Sequence, residues 1–151
     1  SAFLDSIHAA GGDINETAGD GFMAIFEAPD PEAHALEAAR TALQLLEITD
    51  QLNVKYREHP LAIHMGLNSG PALVGSTRFE GTRGSRWTFT ASGPVTNLAA
   101  RLSGAAESGQ ILVGPETARR LRERYPLELI KREHFKNMGA ATEIYRITLG
   151  R

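Results

Sequence analysis

The chain has 151 residues, of which 42% are hydrophobic and 23% are charged. This is the length of about one domain and the composition of a globular protein, so disordered and fibrous classes are excluded. Sixteen basic and eighteen acidic residues give a formal net charge of −2, and this balance predicts no nucleic-acid partner. The absence of cysteine excludes disulfides, thiolate chemistry and cysteine-ligated metal centres.

No apolar run approaches the ~18 residues that a membrane-spanning helix needs, so we predict no membrane contact by this domain. The first residues, SAFLDSIHAAGG, have no signal-peptide pattern. Phe3, Leu4 and Ile7 have helical spacing, so the chain is expected to start inside a helix of a larger protein. Residues 14–18 and 22–26 then predict a hairpin with Asp20 at its tip, in the turn Gly19-Asp20-Gly21.

The rest of the pattern alternates strands and helices. Asp30-Pro31 opens a long helix that is expected to end before Pro60. The remaining predicted elements are a strand at 61–65, a strand at 72–75, a mobile polar loop at 76–86, a strand at 87–91, a helix from Pro94 to about Ala106, a strand at 111–113, a helix from Pro115 to about Arg124, and strands at 127–135 and 143–149. This order predicts one α+β domain over residues 1–151, with a sheet covered on one side by helices.

Asp20 has two interpretations. An aspartate in a tight turn often caps backbone amides locally. Its carboxylate is also a hard oxygen ligand of the kind that magnesium takes together with substrate phosphates, and flanking glycines would let phosphates approach.

Asn97 and Arg101 lie one helical turn apart and roughly opposite the apolar stripe of Val95, Leu98 and Leu102. A solvated helix face is the ordinary interpretation. The functional alternative is an amide and a guanidinium directed at a sugar and a phosphate, since the planar guanidinium matches phosphate oxygens. Lys136, beside a turn, indicates nothing alone. The five histidines show no metal-binding spacing.

Five segments, in this order, resemble the catalytic domain of the class III nucleotidyl cyclases, the adenylate and guanylate cyclases. They are GGDINETAGDGFMAIF, IHMGLNSGPALVG, WTFTASGPVTNLAARL, GQILVGPET and FKNMGAATEIYRI. The resemblance implies a ferredoxin-like βαββαβ core with extra C-terminal elements. It also implies a head-to-tail homodimer with its active sites at the subunit interface, and ATP or GTP converted to the 3′,5′-cyclic monophosphate and pyrophosphate.

The resemblance also implies residue roles. Asp20 matches the second metal aspartate of a site for two Mg²⁺ (or Mn²⁺) ions, Asn97 the ribose-positioning residue and Arg101 the residue that stabilises transition-state charge. Lys136 matches the lysine that meets the terminal phosphates. A further set matches other substrate-binding positions: Glu16 and Thr90 read the base, and Arg86 contacts phosphate.

Two departures from the family pattern affect the expected activity. The first metal aspartate and its strand would precede Ser1, so this first strand is expected to be missing from the chain, which is then weak or inactive alone. Pro94 replaces the usual acidic residue before the asparagine helix, although proline suits a first helical position. The alternative is therefore a catalytically incomplete cyclase-like module that binds a nucleotide or a partner.

The base-reading pair is mixed, because Glu16 is guanine-like and Thr90 is adenine-like. An ionised glutamate accepts from the two donors of guanine and repels adenine N1, which favours GTP, but the choice stays open. The resemblance further implies regulatory domains in the parent chain and a cytoplasmic location, with the parent anchored to a membrane in some arrangements.

Overall fold

The computed structural model describes residues 12–16, 21–27, 29–81, 84–134 and 141–149, and for residues 12–16, 22, 73–81 and 84–92 only the backbone is considered. The elements in chain order are β1 Gly12–Glu16, β2 Phe22–Phe26, α1 Pro31–Lys55, β3 Met65–Leu67, β4 Leu73–Gly81, β5 Gly84–Ser92, α2 Pro94–Ala105, β6 Ile111–Val113, α3 Pro115–Leu121, β7 Leu127–Glu133 and β8 Thr142–Ile147. This mixture of helices and strands confirms the predicted α+β class.

A four-stranded mixed sheet in the order β3-β6-β8-β7 forms the centre of the domain. β3 and β6 are parallel, and β8 is antiparallel to both of its neighbours. Two separate antiparallel ladders, β1-β2 and β4-β5, accompany this sheet.

Helices cover both faces of the sheet, so the prediction that they cover one side was wrong. Ile111 and Val113 of β6 pack with apolar residues of α1 and α3, whereas Leu112 packs with Leu98 and Leu102 of α2. Successive side chains of a strand point to opposite faces. All three residues of β6 are buried because each face has its own helical layer.

α1 begins where the sequence predicts. Asp30 is its N-cap, and one carboxylate oxygen accepts from the Glu32 backbone amide at 3.1 Å. Pro31 occupies the first turn, where a missing amide hydrogen costs nothing. The helix ends at Lys55, before Pro60 as predicted.

β3 starts at Met65 and not at Leu61. The side chain of Asn53 takes both backbone groups of Leu61, donating to its carbonyl at 2.8 Å and accepting from its amide at 2.6 Å. Leu61 therefore has its backbone hydrogen bonds without a strand partner. α3 also ends earlier than predicted, at Leu121, since the next residues form a turn.

The predicted mobile loop at 76–86 is wrong. β4 and β5 pair over nine residues each in an unbroken antiparallel register, from Leu73 opposite Ser92 to Gly81 opposite Gly84. The prediction relied on polar composition, but a two-stranded antiparallel ribbon can carry polar residues because its faces need not be buried. Gly81 and Gly84 form the last pair before the turn of this hairpin, where glycine is typical.

Some predictions fall on residues that the structure does not describe. They are the helix around residues 3–7 and the hairpin tip at Asp20. The paired β1 and β2 confirm the hairpin itself, with Glu16 opposite Phe22 as its last described pair. In the described part of the chain, no helix combines the length and the apolar character that crossing a bilayer would require.

Candidate active site

Asn97 and Arg101 share the exposed face of α2. Both residues are exposed, whereas Leu98 is 6% and Leu102 is 0% exposed. This is the arrangement that the helical spacing predicts, with the polar pair turned away from the buried face. The structure therefore presents an amide and a guanidinium together, one helical turn apart.

The start of α2 depends on Gly93 and Pro94. Gly93 is the N-cap with φ +115° and ψ −177°, a conformation that is essentially limited to glycine. Its carbonyl accepts the first helical hydrogen bond from the Asn97 amide at 3.0 Å. Pro94 at the first turn leaves the helix intact, as predicted, but the N-cap residue Gly93 has no side chain with which to cap this end.

α2 lies very close to β3. A Cβ atom placed on Gly66 of β3 would be 2.6 Å from the Ala99 carbonyl oxygen and 2.7 Å from the Leu102 Cβ. A Cβ on Gly70 would be 2.8 Å from a methyl group of Val95. The absence of these two side chains therefore allows α2 to approach β3 and the turn after it along its first three turns.

The turn after β3 joins the starts of two helices. The Asn68 side-chain amide donates to the Val95 carbonyl of α2 at 2.9 Å. The Ser69 hydroxyl pairs with the Thr117 hydroxyl of α3 at 2.7 Å. Gly114, the N-cap of α3, donates to the Leu67 carbonyl at 3.1 Å. The local sequence gives no sign of the Asn68 contact, because an asparagine in Asn-Ser-Gly-Pro is typical of a turn.

The remaining described candidates lie on two neighbouring strands. Thr90 and Arg86 belong to β5, where they stand opposite Gly75 and Phe79. β5 leads directly into α2, and it lies against β1, whose last residue is Glu16. β5 thus contacts both β1 and α2. Asp20 and Lys136 lie outside the described residues.

The β1-β2 hairpin is tied to α1. Nδ1 of His34 donates to the Phe26 carbonyl at the end of β2 (3.0 Å), and its Nε2 accepts from an Arg120 guanidinium nitrogen at 3.2 Å. These two partners fix the tautomer, because the carbonyl only accepts and the guanidinium only donates. The end of the hairpin is therefore held to α1 and α3.

Two carboxyl groups with a lowered pKa lie on α3 and β8. Arg119, and then Arg120, donate hydrogen bonds that hold the pKa of Glu116 at about 2. A hydrogen bond from Tyr145, and then one from Arg132, lowers the pKa of the Glu143 carboxyl. These carboxylates have their own cationic or hydroxyl partners, so we interpret them as structural.

The described residues contain no cluster of three or more histidine or acidic side chains that could hold a metal ion. Two surface concavities lie around the C-terminal half of α1 and the loop after it, and neither is lined by Asn97 or Arg101. The exposed face of α2 is therefore not part of either concavity. A carboxylate at Asp20 has the donor chemistry that fits Mg²⁺.

Comparison with known proteins gives a consistent result. Residues 5–148 match the family model of the adenylate and guanylate cyclase catalytic domain. The chain is 28% identical over 148 residues to an adenylate cyclase of Mycobacterium tuberculosis, covering 97% of this chain and 32% of the relative. It is 27% identical over 153 residues to a terminal-differentiation specific adenylate cyclase of Dictyostelium discoideum, covering 97% of this chain and 7% of that protein.

Solved structures agree with this fold. The adenylyl cyclase CyaB from P. aeruginosa superposes with a TM-score of 0.84 at 26% identity, covering 99% of this chain and 78% of that one. The guanylyl cyclase Cya2 superposes with a TM-score of 0.77 at 26% identity, covering 97% and 74%. The chain spans about a third or less of the length of the Mycobacterium tuberculosis and Dictyostelium discoideum relatives. It belongs to the adenylate and guanylate cyclase catalytic domain family.

Proposed function

We propose that this chain is the catalytic domain of a purine nucleotide cyclase that converts ATP or GTP into the 3′,5′-cyclic monophosphate and pyrophosphate for intracellular signalling. The observation that carries the proposal is the pair Asn97 and Arg101 on the exposed face of α2. Family membership supplies the reaction class. ATP and GTP are cytoplasmic substrates, so the proposed place of action is the cytoplasm.

The reaction asks the protein for positioning and charge stabilisation. The ribose 3′-hydroxyl attacks the α-phosphate in line, its proton leaves, and the bond to pyrophosphate breaks. Asn97 orients the ribose, and Arg101 donates hydrogen bonds to the α-phosphate as negative charge builds there. Lys136 and Arg86 bind the other phosphate oxygens.

Asp20 is the proposed magnesium ligand of this chain. Two bound ions supply charge neutralisation of the polyphosphate and increase the acidity of the 3′-hydroxyl. One carboxylate is a small part of an octahedral oxygen site, so the complete site draws further ligands from the substrate and from a second aspartate.

The site is completed by a second copy of the chain in a head-to-tail homodimer. Asn97 and Arg101 are exposed in the single chain, and groups that stabilise transition-state charge work best where water is excluded. A facing subunit supplies that enclosure. Mixing Asp20→Ala and Asn97→Ala chains should restore activity, because the mixed dimer has one intact site. Mixed dimers that form and stay inactive would contradict sites shared between subunits.

Glu16 and Thr90 are the proposed base-reading residues, and the contact between β1 and β5 supports this assignment. Similarity does not choose the base, because CyaB and Cya2 are both 26% identical to this chain. A glutamate carboxylate accepts from both guanine donors and meets a repelling acceptor in adenine, so GTP is favoured.

Exchange of this charge tests the base assignment. Glu16→Lys should shift the ratio of kcat/KM for ATP and GTP towards ATP by about 5- to 150-fold, the equivalent of a buried polar mismatch of ~1–3 kcal/mol. Glu47→Lys, on an exposed position of α1, is the matched control. An unchanged ratio in an active Glu16→Lys enzyme would remove this residue from the base pocket.

The decisive experiment is Arg101→Ala in the natural full-length protein. Loss of one transition-state charge contact should lower kcat by about 10²- to 10³-fold while KM changes little. Arg40→Ala, which removes an exposed helix arginine paired with Glu37 at 3.3 Å, should keep wild-type activity. A wild-type kcat in Arg101→Ala would refute the assignment, and nucleotide binding without turnover in the wild type would favour a binding module.

A further inference from the structure

Asn68 occupies a junction between the sheet and the active-site helix. It follows the last residue of β3, and its side-chain nitrogen donates to the Val95 carbonyl at 2.9 Å, 27 residues away in the chain. Its side-chain oxygen lies against Gly114, where a Cβ atom would collide with it. The Asn68 amide is thus seated between the first turn of α2 and the N-cap of α3.

Contacts from β3 and the turn after it hold α2 at two positions along its axis. Gly66 meets the middle of the helix at Ala99 and Leu102. The first turn is held by the Asn68 hydrogen bond to Val95 and by the close approach of Gly70 to the same residue. Gly93 provides no side-chain cap. The hydrogen bond from the Asn68 side chain therefore fixes this turn from outside the helix.

The orientation of the first turn determines where Asn97 points. Asn97 is two residues after Val95 and lies on the far side of the helix. A rotation of ~10° about the helix axis moves a point at the side-chain radius of ~5–6 Å by ~1 Å. A displacement of ~1 Å at a reacting group can lower a rate by ~100-fold.

We infer that Asn68 is a positioning residue of the cyclase reaction, which acts through the Val95 carbonyl to fix the orientation of Asn97. This inference rests on the proposed function, in which Asn97 orients the ribose. Asn68 itself touches neither nucleotide nor metal in this scheme. Its loss therefore changes the placement of the substrate in the transition state and leaves ground-state binding nearly unaffected.

The test uses Asn68→Asp in the natural full-length protein. The substitution keeps the size of the side chain, removes the donor and places a carboxylate against the Val95 carbonyl. We expect kcat to fall by about 10- to 100-fold with KM within about threefold of wild type. Ser69→Ala is the matched control in the same turn, because it loses a contact to α3 and keeps the tie to α2.

A double-mutant cycle separates positioning from a general loss of structure. In an Asn97→Ala background, Asn68→Asp should lower kcat by less than about threefold, because the group that it orients is absent. An equal fold-loss in both backgrounds would overturn the inference, as would a kcat for Asn68→Asp that matches Ser69→Ala. Asn68→Ala adds no charge and replaces Asn68→Asp if the aspartate variant fails to fold, with the same coupling expected. A wild-type kcat in Asn97→Ala would instead refute the proposed function.

Discussion

Gly66 sets how closely α2 can approach the sheet, and Gly66→Ala tests this packing directly. The added Cβ would lie 2.6 Å from the Ala99 carbonyl oxygen and 2.7 Å from the Leu102 Cβ. The Ser103 backbone nitrogen would be nearer still, and ordinary van der Waals contact begins near 3.4 Å, so the helix or the strand must move by about 1 Å. The Ala99 oxygen is a backbone atom and the Leu102 Cβ is fixed directly to the backbone, so no side-chain rotation can move either atom away from the added Cβ.

Overpacking of this kind costs ~1–3 kcal/mol in the free energy of unfolding. For a domain of this size, this is a decrease in Tm of about 2–12 °C. The assay is urea unfolding followed by circular dichroism at 222 nm, with the midpoint compared at equal slope.

Gly104→Ala is the matched control, because it makes the same chemical change on α2, the helix that Gly66 contacts. A Cβ at Gly104 meets no atom within 4 Å. Alanine in a helix is favoured over glycine by ~0.5–1 kcal/mol, so this variant should be more stable than wild type. The reasoning would be refuted if Gly66→Ala unfolded at the wild-type midpoint or above it.

Three further predictions concern stability. Gly93→Ala has open space around its Cβ but a φ of +115°, so strain alone should lower the free energy of unfolding by ~1–3 kcal/mol in urea titrations. Leu102→Ala removes a fully buried side chain and should cost ~2–5 kcal/mol, whereas Leu61→Ala at a 48% exposed position should stay near wild type. Glu116 has a folded-state pKa of about 2, below its ordinary 4.5, chiefly through its hydrogen bond from Arg119. The ionised carboxylate therefore stabilises the fold fully above pH 4.5, and this contribution is lost as the pH falls through 2. Glu116→Gln should remove that part of the acid dependence of unfolding, which is under ~1 kcal/mol for so exposed a pair.

Local signals predicted the helices well. Asp30 and Pro31 mark the start of α1 because a cap and a first-turn proline act within a few residues. The stripe of Leu98 and Leu102 defines the buried face of α2 because residues four apart lie on the same side of a helix. It correctly predicted that Asn97 lies on the exposed side. These features depend on helix geometry alone, so one sequence is sufficient to find them.

Long-range contacts account for what the sequence did not predict. The start of β3 depends on Asn53, which binds Leu61 from the preceding helix. The pairing of Thr77 with Thr88 depends on backbone register and not on an apolar pattern. Asn68 escaped notice because its partner, Val95, lies 27 residues away, and a local motif contains no information about such a partner.

The architecture explains why the polar face of α2 can be both rigid and open. Gly66 of β3 and Gly70 of the turn after it let the helix approach closely, and Asn68 fixes the first turn of the helix, so contacts on the buried side orient the helix. Asn97 and Arg101 lie on the opposite, exposed side. In the proposed homodimer, the side chains on this face bind the nucleotide and the facing subunit covers them. Support from the buried side then holds Asn97 and Arg101 in position before that subunit completes the site.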